Sequence, residues 1–158
     1  MRAKAAPKRT IKPDPLYQNL LVAQLINKVM KDGKKSIAQK HIYKALDLLK
    51  EKSKEDPLNL MRQAIENAKP VMEVRSRRVG GAAYQVPSPV RGERRQSLAL
   101  RWIIDSARKR PNSQYHVFSE KLAAELMDAY QNQGGAIDKK NQMHKMADAN
   151  KAFAHFRW

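Results

Sequence analysis

Three arginines and one tyrosine flank a Gly-Gly pair in residues 73–87, which read EVRSRRVGGAAYQVP. The glycine pair predicts a two-residue hairpin turn, and that register places Arg77 opposite Tyr84. Because side chains alternate along a strand, Arg75 shares the face of this pair and Arg78 points to the other face. Guanidinium groups beside an aromatic ring can hold phosphates and stack on unpaired bases. The segment therefore predicts a contact with nucleic acid.

The predicted hairpin has a tip without bulky side chains. Gly80 and Gly81 are followed by Ala82 and Ala83, so the backbone of a ligand can approach the main chain closely. A hairpin whose arginines serve only solubility is the alternative interpretation. An isolated two-stranded ribbon is unstable in water without a partner, which favours the binding interpretation.

The overall charge also indicates a polyanionic partner. The chain has 32 basic and 15 acidic residues, a net charge of +17, and like charges of this excess repel one another in a folded domain. The excess is concentrated, since residues 1–50 carry 12 basic and 3 acidic side chains and residues 71–111 carry 10 and 3. Outside the hairpin, the side chains predicted to bind phosphate are Arg2, Lys4, Lys8, Arg9, Lys12, Lys34, Lys35, Arg91, Arg94, Arg95, Arg108, Lys109 and Arg110.

The sequence predicts no metal site, no cofactor and no active site. It contains no cysteine, and its four histidines lack the spacing of metal ligands. Gly33-Lys34-Lys35-Ser36 resembles the end of a phosphate-binding loop, but position 28 is lysine where that loop requires glycine. The N-terminus lacks the apolar run of a signal peptide, and no stretch approaches the ~20 apolar residues of a membrane span. We therefore expect a cytosolic protein with neither a membrane partner nor a small-molecule substrate.

Apolar residues at helical spacing dominate the remaining sequence and predict a mostly α fold. The predicted architecture is a bundle of about six helices with one protruding β-hairpin, residues 71–87, between the third and fourth helices. A single domain, residues 1–158, begins with a basic arm, residues 1–12, in which prolines disfavour a helix. The helices are predicted near residues 15–32, 36–49, 57–69, 93–109, 119–133 and 138–155.

Local signals refine this prediction at three places. Ser36 and Gln39 form a capping-box pattern at the start of the second helix. Asp56 followed by Pro57 is typical of an N-cap and the first position of a helix. Trp102 lies on the apolar face of its helix and is predicted to be part of the core.

The last predicted helix supports two interpretations. The basic side chains on one stripe of this helix are Lys140, His144, Lys151 and His155. The chain then continues as Phe156-Arg157-Trp158, in which a ring can stack on a base while the arginine holds its phosphate. Alternatively, Phe153, Phe156 and Trp158 anchor the helical bundle, whose predicted core also includes Met146 and Ala147. The sequence leaves both interpretations open.

Four ordered stretches carry a resemblance to a known family. They are DGKKS at 32–36, EVRSRRVGGAAYQVP at 73–87, LALRWIIDSARKR at 98–110 and MADANKAFAHFRW at 146–158. Together they resemble the family of the seventh protein of the bacterial small ribosomal subunit, over nearly the whole chain. Two places depart from the family pattern: the connection 111–120 is longer, and His41 occupies a position that is usually apolar. His41 is therefore expected at the edge of the bundle.

The resemblance implies a structural, non-enzymatic protein of the ribosome, in the bacterial cytoplasm or in an organelle. It implies direct binding to small-subunit rRNA, early assembly of the head domain and contacts with ribosomal proteins of the head and platform. It also implies a place near the mRNA exit channel and exit-site tRNA. The residues that it places closest to tRNA and mRNA are Gly80, Gly81, Tyr84, Lys140, His144, Lys151, His155, Arg157 and Trp158.

Two other classes of protein are alternatives. A DNA-architectural protein can also grip a duplex with a β-arm, but such arms usually carry a bulky wedge that the tip of this hairpin lacks. A nuclease or RNA-modifying enzyme with a basic channel requires a cluster of carboxylates or metal ligands, and the 15 acidic residues are scattered.

Overall fold

The computed structural model describes residues 10–53 and 55–157. Within these ranges the chain forms six α-helices, a hairpin between the third and fourth helices and a C-terminal 3-10 helix, which confirms the predicted mostly α fold. None of the described helices is long and apolar enough to cross a membrane. In chain order the elements are α1 (Leu20–Val29), α2 (Lys35–Ser53), α3 (Pro57–Ala68), β1 (Met72–Val79), β2 (Ala82–Pro89), α4 (Gly92–Lys109), α5 (Phe118–Tyr130), α6 (Gly135–Ala149) and the 3-10 helix (Lys151–Phe156).

The hydrophobic core forms where α5 packs against α2, α3 and α4. Alanines on α5, such as Ala123 and Ala129, are fully buried and allow the neighbouring helices to approach. Trp102 of α4 is also buried, as predicted. Burying each large apolar side chain in such a core stabilises the folded state by ~1.5–3 kcal/mol, relative to leaving it exposed. Those that are fully buried include Leu46, Leu49, Met61, Ile65, Ile103, Leu122 and Leu126.

The first helix is shorter than predicted because Asp14 forms a turn ahead of it. One oxygen of its carboxylate accepts the backbone N–H of Tyr17 at 3.1 Å. The other oxygen accepts the hydroxyl of Tyr43, on α2, at 2.8 Å. Asn19 then serves as the N-cap of α1. The prediction of a helix over 15–32 was therefore wrong at its start, and the helix also ends three residues earlier.

One of the two predicted helix starts is confirmed. The side chain of Asp56 accepts the backbone N–H of Leu58, and Pro57 occupies the first position of α3. The capping-box prediction was wrong, because α2 begins at Lys35 and Ser36 lies inside its first turn. A residue with helical neighbours on both sides cannot act as the N-cap, whose backbone must leave the helix.

The chain forms two helices where one was predicted over 138–155. α6 ends at Ala149, and the side chain of Asn150 donates to the carbonyl of Met146 at 2.8 Å before the 3-10 helix begins. The basic side chains predicted along one helix therefore do not share one stripe. Met146, predicted in the core, is 41% exposed, whereas Ala147 is buried as predicted.

The connection between α4 and α5 is held by a network of charged side chains, most of them buried. Arg110 pairs with Glu125 at 2.7 Å and with Asp128, both on α5. Lys121 donates to the carbonyl of Arg110 at 2.5 Å. Glu125 is only 2% exposed, and its second oxygen accepts the backbone N–H of Ala136 at the start of α6 at 2.9 Å. The network therefore ties the ends of three helices together.

His41 lies at the edge of the bundle, as predicted. Its ring is partly exposed and meets Phe118 edge-on, with ring centroids 6.0 Å apart. An edge-to-face contact lets a polar ring occupy a position that faces apolar neighbours.

Candidate nucleic-acid interface

The hairpin has the predicted register. Arg77 lies opposite Tyr84 in an antiparallel ladder, and Arg75 shares their face. Both turn glycines have positive φ, 57° at Gly80 and 91° at Gly81. Residues with a side chain rarely adopt this backbone, which two-residue hairpin turns require. The glycine pair therefore determines the register that puts the arginines and the tyrosine on one face.

Five arginines from three parts of the chain line a cavity of about 460 Å³ beside the hairpin. Arg75 and Arg77 belong to β1, Arg91 and Arg94 to the start of α4, and Arg157 follows the 3-10 helix. The described residues that line the cavity include no carboxylate. A concave surface with one sign of charge concentrates the electrostatic potential. The fold thus brings together residues that the sequence predicted in separate segments; we call this group the arginine pocket.

Glu73 supports the arginine pocket and was not among the predicted site residues. Its side chain is 5% exposed, and its oxygens accept from Arg75 Nε at 2.6 Å and from Arg94 Nε at 2.7 Å. The signal was present in the sequence. An acidic residue two positions before Arg75 on a strand lies on the same face of the hairpin.

Tyr84 packs against the C-terminal 3-10 helix. Its ring centroid lies 5.3 Å from that of Phe153 and 5.2 Å from that of Phe156. Of the two interpretations of the C-terminus, these contacts support anchoring. Among the described residues, the ring that Phe153 and Phe156 contact belongs to the hairpin.

Two residues of the predicted basic stripe make contacts within the fold. Lys140 donates to the carbonyl of Asn67, at the end of α3, at 2.6 Å. His144 Nε2 accepts the backbone N–H of Val71, just before β1, at 3.0 Å. Both therefore attach α6 to the base of the hairpin. Lys151 and His155, on the 3-10 helix, are exposed.

The remaining predicted phosphate ligands lie at several places. Lys12, Lys34 and Lys35 are exposed. Arg78 lies on the opposite face of the hairpin, and Arg95 donates to the carbonyl of Pro70 at 3.0 Å. The predicted residues outside the described part of the chain are Arg2, Lys4, Lys8, Arg9 and Trp158.

A second basic cavity, of about 750 Å³, lies between α4 and α6. Arg108 and Lys109 line it as predicted ligands, together with Arg101 and Lys139, which were not among the predicted residues. Asp105 and Glu125 also line this cavity, so its charge is mixed. Arg110 contributes little free charge here, because its ion pairs with α5 occupy the guanidinium.

Two observations concern the chemistry outside the arginine pocket. Burial raises the pKa of Tyr43 to about 12, and its hydrogen bond to Asp14 acts in the same direction. In the described part of the chain, no group of three His, Asp or Glu side chains is placed to hold a metal ion. The arginine pocket is therefore the site whose chemistry is best defined, and that chemistry suits an anionic ligand.

Comparison with known proteins identifies the family. The model of the ribosomal protein S7p/S5e family matches residues 1–151. The chain belongs to this family. Ribosomal proteins of the S7p/S5e family are structural and not enzymes, so this chain is a non-enzymatic ribosomal protein.

Full-length relatives agree with this assignment. A protein of Thermotoga neapolitana, named small ribosomal subunit protein uS7, is 59% identical over 158 residues, which is 100% of both chains. Proteins with the same name from Carboxydothermus hydrogenoformans and Acetivibrio thermocellus are each 57% identical, over 99% and 96% of both chains respectively. These S7p/S5e relatives are all bacterial proteins.

Proposed function

We propose that this chain is a structural component of the small ribosomal subunit in the bacterial cytoplasm. In this role it binds small-subunit rRNA directly, organises the head domain early in assembly and contacts other ribosomal proteins of the head and platform. The observation that carries the proposal is the arginine pocket, where residues of β1, α4 and the C-terminus converge. A folded RNA junction brings several phosphates close together, and a concave basic surface is complementary to it.

The proposed mechanism has a general and a specific part. The net charge of +17 attracts any RNA and makes the affinity dependent on salt. The specific part comes from arginines held on a hairpin and a helix, which match the shape of one junction and fit other RNA less well. The forked guanidinium group suits this role because it can donate two parallel hydrogen bonds to one phosphate.

The same surface supports a role near exit-site tRNA and mRNA. The contact of Tyr84 with Phe153 holds the 3-10 helix against the hairpin. The exposed tip at Gly80 and Gly81 and the exposed side chain of Lys151 therefore belong to one continuous unit. An RNA strand that passes this unit meets a basic surface. The small residues at the hairpin tip let the backbone of the RNA approach closely.

A DNA-architectural function is the alternative, and the hairpin tip disfavours it. Proteins of that kind insert a bulky apolar side chain between base pairs. Here Gly80, Gly81, Ala82 and Ala83 are all exposed and small, so the tip has nothing to insert.

Reconstitution tests the proposed function. We would add the protein alone to naked small-subunit rRNA, probe the RNA chemically and sediment the complex through a high-salt wash. We expect protection of nucleotides in the head domain and co-sedimentation without any other protein. Protection that appears only after other ribosomal proteins are added would contradict direct, early binding.

A further inference from the structure

A buried glutamate connects two arginines of the arginine pocket. The side chain of Glu73 is 5% exposed, yet those of Arg75 and Arg94 are each 54% exposed. Arg75 belongs to β1 and Arg94 to the first turns of α4. One carboxylate therefore holds guanidinium groups from two different elements at one point.

This arrangement leaves hydrogen-bond donors available to a ligand. The bonds of Glu73 engage Nε and one Nη of Arg75 and Nε of Arg94. A guanidinium group has more N–H donors than these bonds use. Because both arginines are half exposed and line the cavity of about 460 Å³, the remaining donors are available to a group that enters it.

Ser88 borders the same cavity, but its hydroxyl group is not open to it. It lies directly opposite Glu73 across the hairpin, and it lines the cavity. Its hydroxyl oxygen is buried and, within the described residues, has no hydrogen-bond partner. Because this oxygen is buried, the groups open to a ligand in the cavity are the guanidinium groups of the arginines.

Charge alone does not account for Glu73. A carboxylate at this position weakens the attraction of the surface for phosphate. Its benefit is orientation. Arginine has a long side chain with many rotamers, and holding it in place before binding removes part of the ordering cost of binding.

We propose that Glu73 is a positioning residue of a phosphate-binding pocket. It fixes Arg75 and Arg94 so that their remaining N–H groups converge on one phosphate group of the rRNA backbone. This inference rests on the proposed function, since it concerns how the same surface distinguishes its RNA from other RNA.

The substitution Glu73→Gln separates orientation from charge. It keeps the shape of the side chain and removes one negative charge, so the net charge of the protein becomes more positive by one. If charge alone mattered, this variant would bind all RNA more tightly. Positioning predicts the opposite for cognate RNA: about tenfold weaker binding to a transcript of the small-subunit head domain, since one well-placed charge-assisted hydrogen bond is lost. Binding to poly(U) of equal length should be unchanged or tighter.

Two further variants complete the test. Glu66→Gln changes the net charge by the same amount at an exposed helical position, where Glu66 pairs with Lys69, and should not weaken either RNA complex. Arg94→Lys keeps the charge but loses the guanidinium fork, and should weaken head-domain binding by a similar factor. The losses in Glu73→Gln and Arg94→Lys should not multiply when the two substitutions are combined, because both disturb one unit.

The outcomes distinguish the inference from the function on which it rests. Head-domain binding by Glu73→Gln as tight as that of the natural chain would overturn the positioning role while leaving rRNA binding intact. Circular dichroism shows whether Glu73→Gln folds. If it does not, Arg94→Lys provides the test, and full affinity of that variant for the head-domain transcript would overturn the positioning role of Glu73. Equal affinity of the natural chain for the head-domain transcript and for poly(U) would instead overturn the proposed function itself.

Discussion

Tyr84 of β2 and Phe156 of the 3-10 helix pack with ring centroids 5.2 Å apart, so the end of the chain and the hairpin form one structural unit. Phe153 contacts the same tyrosine at 5.3 Å. Because a two-stranded ribbon is marginally stable by itself, we infer that these aromatic contacts stabilise the strands that carry Arg75 and Arg77.

Removing either ring should make the hairpin open more easily, and the effects of the two substitutions should be coupled. We expect Tyr84→Ala and Phe156→Ala each to lower the free energy of local opening of the hairpin, measured by amide hydrogen exchange. The double variant should show a coupling of ~0.5–1.5 kcal/mol, typical of an aromatic pair. Tyr115→Ala, in the distant connection before α5, is the control and should leave hairpin exchange unchanged. Fully additive effects would show that the rings do not stabilise the hairpin together.

Deletion of residues 151–158 should affect the hairpin more than the bundle. The 3-10 helix contributes no buried residue, so we expect the thermal midpoint of the protein to change little. The variant should still enter small subunits but retain deacylated tRNA in the exit site less well, because the basic surface beside the hairpin loses Arg157. A large drop of the midpoint together with failure to enter subunits would contradict this expectation.

The buried network around Glu125 should be essential to stability. Replacing Glu125 with alanine leaves Arg110 with one carboxylate partner and removes the acceptor of Ala136 N–H. Breaking a buried pair of this kind costs ~3–5 kcal/mol, which urea unfolding would measure. Glu66→Ala, which removes an exposed partner of Lys69, should cost less than ~1 kcal/mol. Similar losses in the two variants would show that the network contributes no more than a surface pair.

The burial of Tyr43, together with its hydrogen bond to Asp14, predicts a loss of stability at alkaline pH. The folded protein raises the pKa of Tyr43 from 10.0 to about 12, so the unfolded chain releases this proton first. The stabilising contribution is complete below pH 10 and is lost as the pH rises towards 12. Urea unfolding at pH 9 and pH 11 should therefore show a larger loss in the natural chain than in Tyr43→Phe. Equal losses in the two proteins would rule out this contribution.

Features set by neighbours in the sequence were predictable. The turn at Gly80 and Gly81 determined the register of the hairpin, because few residues other than glycine adopt positive φ. Asp56 and Pro57 marked the start of α3 for an equally local reason, since a side-chain acceptor and a fixed φ suit the first turn of a helix.

Features set by distant contacts were not predictable from periodicity. Asp14 ends the helical pattern at the N-terminus because it bonds Tyr43, 29 residues away. Asn150 separates α6 from the 3-10 helix, where the sequence predicted one continuous helix. Tyr84 then packs against the 3-10 helix. The pairing of Glu73 with Arg94 likewise depends on how β1 meets α4, although Glu73 and Arg75 were neighbours on the predicted strand.

In the proposed function, arginines at the hairpin, and not total charge alone, bind the rRNA. Its most direct test is the salt dependence of affinity for a head-domain transcript, measured by filter binding. The variant with Arg75, Arg77 and Arg78 replaced by alanine is compared with a control that loses the same charge from exposed positions of α2, namely Lys40, Lys44 and Lys50.

We predict that the hairpin variant binds more weakly. The slope of log affinity against log salt should become shallower by the amount that corresponds to the loss of up to ~3 phosphate contacts. Circular dichroism should show that the bundle remains folded, because these arginines lie outside the core. The α2 variant should keep a slope close to that of the natural chain. An unchanged slope in the hairpin variant, or an equal fall in both variants, would show that the hairpin arginines have no special part in binding the rRNA.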